Sequence, residues 1–339
     1  MQDRLVFLIG SPRSGSTLLS RMLGAHSAVF APEEPHLITP LAYLGYYESV
    51  ETAPYDPIIT RQAARALVAS LPGGEATYLS ALRAYTDAIY RGLYEGHGGG
   101  GLILDKTPAY ALCLDFLERL YPEARYVVLT RHPIAVWSSF VDSFFDGDDR
   151  IAHDHNPLLE RYVPAIARFL RTTKIPIHHV QYEDLVRNPE DNARAIADYL
   201  GLGFEPAMVD YGQVPEGGRA STRGLGDPTT VSKESRPTTA SLAKWARAAT
   251  GRPERVALYR EILARLTDED LEIWGHGREQ IQRELDAIDL EGKAAPRPRL
   301  TRYALERRIL VGVRRRIRPD NALGRTLRRI REVCDVLLR

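Results

Sequence analysis

Cysteine is scarce in this chain of 339 residues, and its two cysteines, Cys113 and Cys334, lie far apart. This spacing argues against a disulfide framework and against a zinc site built on cysteine pairs, and it favours a reducing compartment. Long apolar runs are also missing. The run at residues 5–9, LVFLI, is far shorter than the roughly 20 residues of a membrane-spanning helix, and too short for a signal peptide. We therefore expect a cytoplasmic, bacterial protein without a transmembrane segment.

The net charge is only +1, but the two signs are unevenly distributed. Residues 293–339 contain 15 Lys or Arg against 4 Asp or Glu, a surplus of +11, which leaves about −10 for residues 1–292. The pattern predicts a basic, helical C-terminal extension after a linker marked by Pro296 and Pro298. Such an extension either packs on the domain through its apolar positions or docks to an acidic partner. No nucleic acid partner is expected.

A buried strand, a glycine-rich turn and a helix are predicted in that order for residues 5–25, LVFLIGSPRSGSTLLSRMLGA. The continuous apolar run suits a strand buried on both faces. The apolar residues after the turn have the spacing of the buried stripe of a helix. This order of elements is the structural context of a phosphate-binding loop.

The loop from Gly10 to Gly15 has the spacing G-x-x-x-x-G-K-[ST], with Thr17 in the hydroxyl position. Ser16, however, occupies the position of the lysine that nucleoside triphosphate enzymes place on the β- and γ-phosphates. The only nearby cation is Arg13, inside the loop. The loop is therefore predicted to hold an anion at a helix N-terminus, and a nucleoside triphosphate is disfavoured.

Three further strands are predicted at residues 102–108, which end in polar residues, at 125–130 and at 177–182, and each is followed by a helix. Strands that alternate with helices at this spacing predict an α/β fold. We expect a P-loop-containing three-layer fold with a central, mostly parallel sheet flanked by helices. Ligands of such sheets bind at the carboxyl ends of the strands.

The remaining segments give less specific signals. Residues 37–100 are predicted to be mostly helical, with residues 79, 82, 85, 89 and 93 on one buried stripe. Residues 143–160 are acidic and aperiodic and predict a lid. His153 and His155 have a spacing that can ligate a metal, but no third ligand is evident, so a polar loop is favoured and no metal is predicted. Residues 213–239, rich in Gly, Pro, Ser and Thr, predict a flexible loop.

Two motifs resemble those of sulfotransferases that use 3′-phosphoadenosine-5′-phosphosulfate (PAPS). Residues 10–19, GSPRSGSTLL, resemble the 5′-phosphosulfate loop of that family, and residues 126–133, YVVLTRHP, with Ser139 eight positions beyond Arg131, resemble its 3′-phosphate motif. The resemblance covers roughly residues 4–36, 102–140 and 177–201. It implies PAPS as the sulfuryl donor, 3′-phosphoadenosine-5′-phosphate (PAP) as the product, and no metal.

The resemblance also implies catalytic residues. The order of the loop, His26 and the acid pair is similar to tyrosylprotein sulfotransferases, in which the second acid of the pair is the base; here it is Glu34. Glu33 and His36 are the competing bases. The run DKTPAY at residues 105–110 is similar to glycosaminoglycan sulfotransferases, whose lysine acts on the transferring group, which implies a catalytic role for Lys106. With Arg13, this lysine would offset charge on the leaving phosphate oxygen.

A set of nucleotide-binding residues follows from the same resemblance. It comprises the loop residues, the 3′-phosphate clamp, a strand-end tyrosine and a lysine of the flexible loop: Ser11, Pro12, Arg13, Ser14, Gly15, Ser16, Thr17, Arg131, Ser139, Tyr182 and Lys233. One departure concerns the loop that usually closes the site in this family. Thr229 stands where a lysine is expected, and Lys233 or Arg223 is the candidate replacement.

These inferences predict one sulfotransferase-like domain over residues 1–292, with residues 37–100 as an acceptor-binding insertion, and a basic extension over residues 293–339. The expected reaction moves a sulfuryl group from PAPS to the hydroxyl of a small-molecule or carrier-bound acceptor by metal-free in-line displacement. The alternatives are a P-loop kinase or NTPase and a non-catalytic module that docks through its basic tail. The sequence does not identify the acceptor.

Overall fold

The structure is a computed structural model that describes residues 1–32, 34–42, 57–96, 98, 100–213 and 234–292, and the single positions 305, 309, 312 and 326. Its five strands are β1 Leu5–Gly10, β2 Val29–Phe30, β3 Leu102–Asp105, β4 Arg125–Thr130 and β5 Ile177–Gln181. They form one sheet in the order β2-β3-β1-β4-β5, and each neighbouring pair is parallel. The predicted α/β class is confirmed.

Alternate residues of the central strands face two separate hydrophobic cores. Phe7 and Val128 contribute to one core, whereas Leu8 and Val127 contribute to the other. Because side chains alternate along a strand, a sheet buried on both faces needs a helical layer on each side. The predicted three-layer arrangement is therefore confirmed.

Fourteen α-helices lie within the described residues. They are α1 Ser16–Gly24, α2 Ile38–Ala42, α3 Pro57–Ser70, α4 Glu75–Gly96, α5 Leu114–Leu120, α6 Pro133–Phe144, α7 Asp149–His155, α8 Leu158–Thr172, α9 Tyr182–Arg187, α10 Pro189–Leu200, α11 Lys244–Ala249, α12 Pro253–Ala264, α13 Asp268–Trp274 and α14 Arg278–Asp286. Helices α1, α9 and α10 pack in the core around Leu8, and α5, α6, α8 and α12–α14 in the core around Phe7.

The buried face of α4 differs from the predicted stripe. The buried residues are Leu82, Thr86 and Tyr90, whereas Tyr85 is 55% exposed and Ile89 is 36% exposed. Polar contacts set this rotation, because the Thr86 hydroxyl lies 2.5 Å from that of Tyr121 and Tyr90 donates to Asp105 at 2.6 Å. Tertiary hydrogen bonds thus outweigh the apolar pattern: the predicted stripe is confirmed at Leu82 and wrong at Tyr85, Ile89 and Leu93.

The acidic segment 143–160 is part of the folded core and not an aperiodic lid. Asp148 caps α7 by accepting from the Ile151 amide at 3.1 Å, and Ala152 and Leu158 are buried. The acidic residues that suggested a loop begin a helix instead, as carboxylates commonly do. His153 lies on this helix with its Nε2 2.8 Å from Glu160, so the polar-loop prediction for it is wrong.

Within the described ranges, no group of three or more His, Cys, Asp or Glu side chains is placed to hold a metal ion. Among the same residues, no helix is long and apolar enough to cross a membrane. Residues 214–233 of the predicted loop, with Lys233 and Arg223, and nearly all of 293–339 lie outside the described residues, as does Glu33.

Candidate active site

The two predicted anion-binding motifs meet because β1 and β4 are neighbours in the sheet. Gly10, the last residue of β1, pairs with Leu129 of β4, so the loops that follow both strands leave the same edge of the sheet. The Arg131 guanidinium donates through Nη1 to the Arg13 carbonyl at 3.1 Å. Two arginines that are 118 positions apart in sequence are thus brought together.

The loop before α1 depends on one glycine. Gly15 has φ +99°, a conformation that L side chains rarely adopt. A Cβ at this position would lie 2.6 Å from Cε2 of Tyr182 and closer still to Cδ2. The tyrosine ring therefore packs directly on the loop backbone at the N-terminus of α1.

Several polar atoms around the loop are buried without a hydrogen-bond partner among the described residues. They are the hydroxyls of Ser11 and Ser14 and the Nε of Arg131. Buried donors are normally satisfied, because an unmade hydrogen bond costs about 1–3 kcal/mol. Together with the exposed amides of a helix N-terminus, these unsatisfied donors fit an anionic ligand.

Arg131 is buried and held from several sides. Its carbonyl accepts from Trp274 Nε1 at 2.7 Å, and its guanidinium lies 4.3 Å from the centroid of the Tyr182 ring. Tyr182 in turn shares a 2.6 Å hydrogen bond with Ser241. Burial lowers the pKa of the Arg131 guanidinium from its ordinary value. The cation is thus fixed in a site where water screens it poorly.

A cavity of about 250 Å³ lies between these groups. Seven of the predicted residues line it: Arg13, Gly15, Ser16, Thr17, Arg131, Ser139 and Tyr182. Ser11, Pro12 and Ser14 are not in its lining, although Ser11 and Ser14 are buried in the same loop. Arg13 Nε donates to the Ser139 hydroxyl at 3.1 Å, which joins the two motifs across the cavity.

The cavity also has residues that the sequence did not indicate. Its lining also contains Ser138, Asp142, Ser143, Glu234, Thr238, Ser241, Lys244 and Trp245. Lys244 adds a third cationic residue to this lining, beside Arg13 and Arg131. Neither Lys244 nor Trp245 belongs to a recognisable motif, and only the fold brings α11 to this position.

An ion-pair network supports the helix that carries Ser138 and Ser139. The buried Arg255 guanidinium donates to Asp142 at 3.0 Å and lies 3.0 Å from Asp149. Burial raises the pKa of Asp149 to about 6 although Arg255 opposes this shift. The network ties α6, α7 and α12 together beneath one wall of the cavity.

The predicted catalytic pair lies outside the lining of this cavity. Lys106 is only 5% exposed, and its ammonium donates to Glu34 Oε1 in a very close contact. Glu34 Oε2 lies 3.4 Å from His36 Nε2. The structure thus brings Glu34, Lys106 and the competing base His36 together, at the end of β3 next to β1.

Comparisons with known proteins agree with the two motifs. The model of the Sulfotransferase family matches residues 6–206. Nodulation protein NoeE of Sinorhizobium fredii is 28% identical over 255 residues, which are 68% of this chain and 57% of NoeE. Protein-tyrosine sulfotransferase 2 of Gallus gallus is 25% identical over 219 residues, which are 61% of this chain and 53% of that protein. The chain thus spans little more than half of either relative.

Among solved structures, the sulfotransferase domain from the Synechococcus PCC 7002 olefin synthase is 29% identical, with a TM-score of 0.49. The match covers 71% of this chain and 86% of that domain. The family match from residue 6 to residue 206 covers more than half of the chain and contains both anion-binding motifs. This chain belongs to the sulfotransferase family.

Proposed function

We propose that this chain is a PAPS-dependent sulfotransferase that modifies a hydroxyl acceptor. The observation that carries the proposal is the cavity between Arg13 and Arg131, next to a helix N-terminus that has Ser16 where an NTPase has lysine. Such a site suits a nucleotide with a phosphate at each end of its ribose, and it lacks the group that holds a γ-phosphate.

The donor would be held by two sets of residues. The amides of residues 13–17 and the buried hydroxyls of Ser11 and Ser14 suit its 5′-phosphosulfate. The unsatisfied Nε of Arg131 and the hydroxyl of Ser139 suit its 3′-phosphate, since an arginine can bind a phosphate in bidentate fashion. When bound, PAPS supplies the sulfuryl group on a good leaving group. Lys244 is a candidate for the cation that Lys233 was expected to provide.

Glu34 and Lys106 would carry the chemistry. In an in-line displacement the acceptor oxygen bonds to sulfur while the bond between sulfur and the phosphate oxygen breaks. Glu34 would take the acceptor's hydroxyl proton, a contribution worth about 10²–10⁴-fold in rate. Lys106 and Arg13 would offset the charge on the leaving oxygen, so the mechanism requires no metal. His36 remains the alternative base.

The acceptor is proposed only as a class. A hydroxyl on a small molecule or on a carrier-bound intermediate would enter beside Glu34, and helices α2–α4 of the 37–100 insertion would contact it. The basic 293–339 segment is proposed to bind an acidic partner. For the enzyme as a whole we propose a cytoplasmic location.

Thermal melting with nucleotides tests the proposal. A ligand at 100 times its Kd stabilises a protein by about 2.7 kcal/mol, which raises the melting temperature by several degrees. PAP and PAPS are expected to produce this shift without a divalent cation, whereas ATP and GTP with Mg²⁺ are expected to give little. Stabilisation by the nucleoside triphosphates alone would overturn the proposal in favour of a kinase or NTPase.

A further inference from the structure

A fully buried carboxylate, that of Asp105, lies next to Lys106 in the chain and takes no part in the proposed chemistry. Asp105 is the last residue of β3, immediately before Lys106, and it is fully buried. Its Oδ2 accepts from the hydroxyls of Tyr90 at 2.6 Å and Tyr110 at 3.1 Å, and its Oδ1 accepts from Thr107 at 3.0 Å. No ion pair to Asp105 is present among the described residues. Neutral hydroxyls alone satisfy this carboxylate there.

Two of these hydroxyls also bind the segment that carries Glu34. The His36 amide donates to Thr107 Oγ1 at 3.3 Å, and the Ile38 amide donates to the Tyr110 hydroxyl at 3.1 Å. A hydroxyl has one proton to give and lone pairs with which to accept. Because Asp105 takes the proton of both hydroxyls, their lone pairs are directed towards the two backbone amides. The Asp105 carboxylate thus sets the direction of both hydroxyls and, through them, the position of the His36 and Ile38 amides.

The segment needs such support. His36 has φ +50°, a left-handed conformation that is unfavourable for a residue with a side chain. The Glu34 side chain is largely buried, that of His36 is 43% exposed, and the two contact one another at 3.4 Å. A residue two positions from Glu34 is therefore held in a conformation that the chain would not adopt by itself.

We propose that Asp105 is a positioning residue that, through Thr107 and Tyr110, holds residues 34–38 in place and thereby sets Glu34 against Lys106. The inference rests on the proposed function, because Glu34 and Lys106 are the groups that it positions. Asp105 itself touches neither of their side chains by hydrogen bond. The same carboxylate also fixes the strand end from which Lys106 projects.

Three conservative variants test the inference. Thr107→Val and Tyr110→Phe each remove one hydroxyl that joins Asp105 to the segment. Tyr90→Phe is the matched control, because it removes an equivalent buried hydrogen bond to Asp105 from α4 without touching the His36 or Ile38 amides. A general loss of stability should appear in all three variants, whereas a loss of positioning should appear only in the first two.

Two measurements are made on each full-length variant. The first is hydrogen–deuterium exchange of a peptide that covers residues 34–41, read by mass spectrometry. Removing the partner of an amide should speed exchange in Thr107→Val and Tyr110→Phe by about fivefold, equivalent to one ordinary hydrogen bond. The second is release of PAP from PAPS in the presence of 4-nitrophenol, a phenolic probe acceptor. The kcat is expected to fall at least about tenfold while PAP affinity stays within about twofold.

The control separates positioning from folding. Tyr90→Phe is expected to lower the melting temperature but to leave the exchange of residues 34–41 and kcat within about twofold of wild type. Equal losses of kcat in all three variants would overturn the inference, as would normal kcat in Thr107→Val and Tyr110→Phe. If the wild-type protein neither binds PAP nor forms PAP from PAPS, the proposed function fails. The exchange measurement then decides alone whether the Asp105 network holds the segment.

Discussion

Replacing Gly15 by alanine should disrupt both the stability of the domain and its nucleotide site. The new Cβ would lie 2.6 Å from Cε2 of Tyr182, on a backbone with φ +99°. Either the loop or the tyrosine ring must move. A displaced ring would lose its contact with the Arg131 guanidinium, 4.3 Å from its centroid, and its 2.6 Å hydrogen bond to Ser241.

The expected loss in the free energy of unfolding has two physical causes. A side chain in the left-handed region costs roughly 1–2 kcal/mol, and forcing extra atoms into a packed site costs typically about 1–3 kcal/mol. We therefore expect Gly15→Ala to lower the free energy of unfolding by about 2–5 kcal/mol, a large part of the roughly 5–15 kcal/mol of a typical domain. Loss of the cation–π contact should weaken PAP binding by about tenfold or more.

Chemical denaturation and calorimetric titration with PAP measure these effects. Gly92→Ala is the control, because Gly92 lies on α4 with open space around the position of a Cβ, and alanine there should stabilise the helix by about 0.5–1 kcal/mol. The double variant Gly15→Ala/Tyr182→Ala should recover part of the stability but none of the PAP affinity. If Gly15→Ala were as stable as wild type and bound PAP equally tightly, Tyr182 could not approach the loop as closely as described.

Three further predictions concern the arginine clamp, the base and the buried carboxylate. Arg131→Lys should lose the bidentate contact with the 3′-phosphate and weaken PAP binding about 10- to 100-fold. The affinity for adenosine 5′-phosphosulfate should hardly change, because this ligand lacks the 3′-phosphate. Equal losses of affinity for both ligands in calorimetry would contradict the role of Arg131 at the 3′-phosphate. Glu34→Gln should lower kcat for sulfuryl transfer by about 10²–10⁴-fold with PAP affinity unchanged, and an unaltered kcat in steady-state assays would exclude Glu34 as the base. Burial raises the pKa of Asp105 to about 6 from 3.8, so the folded state binds a proton at this carboxyl more tightly than the unfolded state does. The stability gained from that proton is lost as pH rises through about 6. The stability of wild type relative to Asp105→Asn should therefore increase by about 1–1.5 kcal/mol between pH 7 and pH 5 in denaturation experiments, whereas an unchanged difference would contradict that shift.

The sequence predicted four of the five strands because they are marked locally, and it missed β2, which has only two residues. The apolar run of β1 and the order of strand, turn and helix around Gly15 needed no information from distant residues. The alternation of strands and helices then predicted a parallel sheet and the edge at which ligands bind. The convergence of Arg13 and Arg131 followed from this topology.

The errors have a common physical origin in distant contacts. The rotation of α4 is set by hydrogen bonds from Thr86 and Tyr90 to residues of other elements, and the 3.6-residue period of its apolar positions does not record them. Helix α7 is held by Asp148 as its cap and by Arg255, more than 100 positions away. Local composition could not distinguish such a segment from a lid.

Some residues that line the cavity could not be predicted from the sequence for the same reason. Lys244 and Trp245 reach the site because α11 packs against α6, and no pattern in the sequence links the two helices. The pairing of Glu34 with Lys106 could be expected only from resemblance, since helices α2–α4 and strand β3 separate the two residues in the chain. The Asp105 network has no sequence signature, because its members are recognised by hydroxyl direction and burial.

The central claim is that this chain transfers a sulfuryl group from PAPS. The most direct measurement follows the ³⁵S label of PAPS and the formation of PAP in parallel, with the wild-type protein and Glu34→Gln, in the presence of hydroxylated acceptors. The account predicts that wild type moves the label from PAPS and forms an equal amount of PAP, and that Glu34→Gln does so far more slowly. The proposed sulfuryl transfer would be contradicted if incubation with PAPS yielded no PAP and the protein instead released phosphate from ATP in the presence of Mg²⁺.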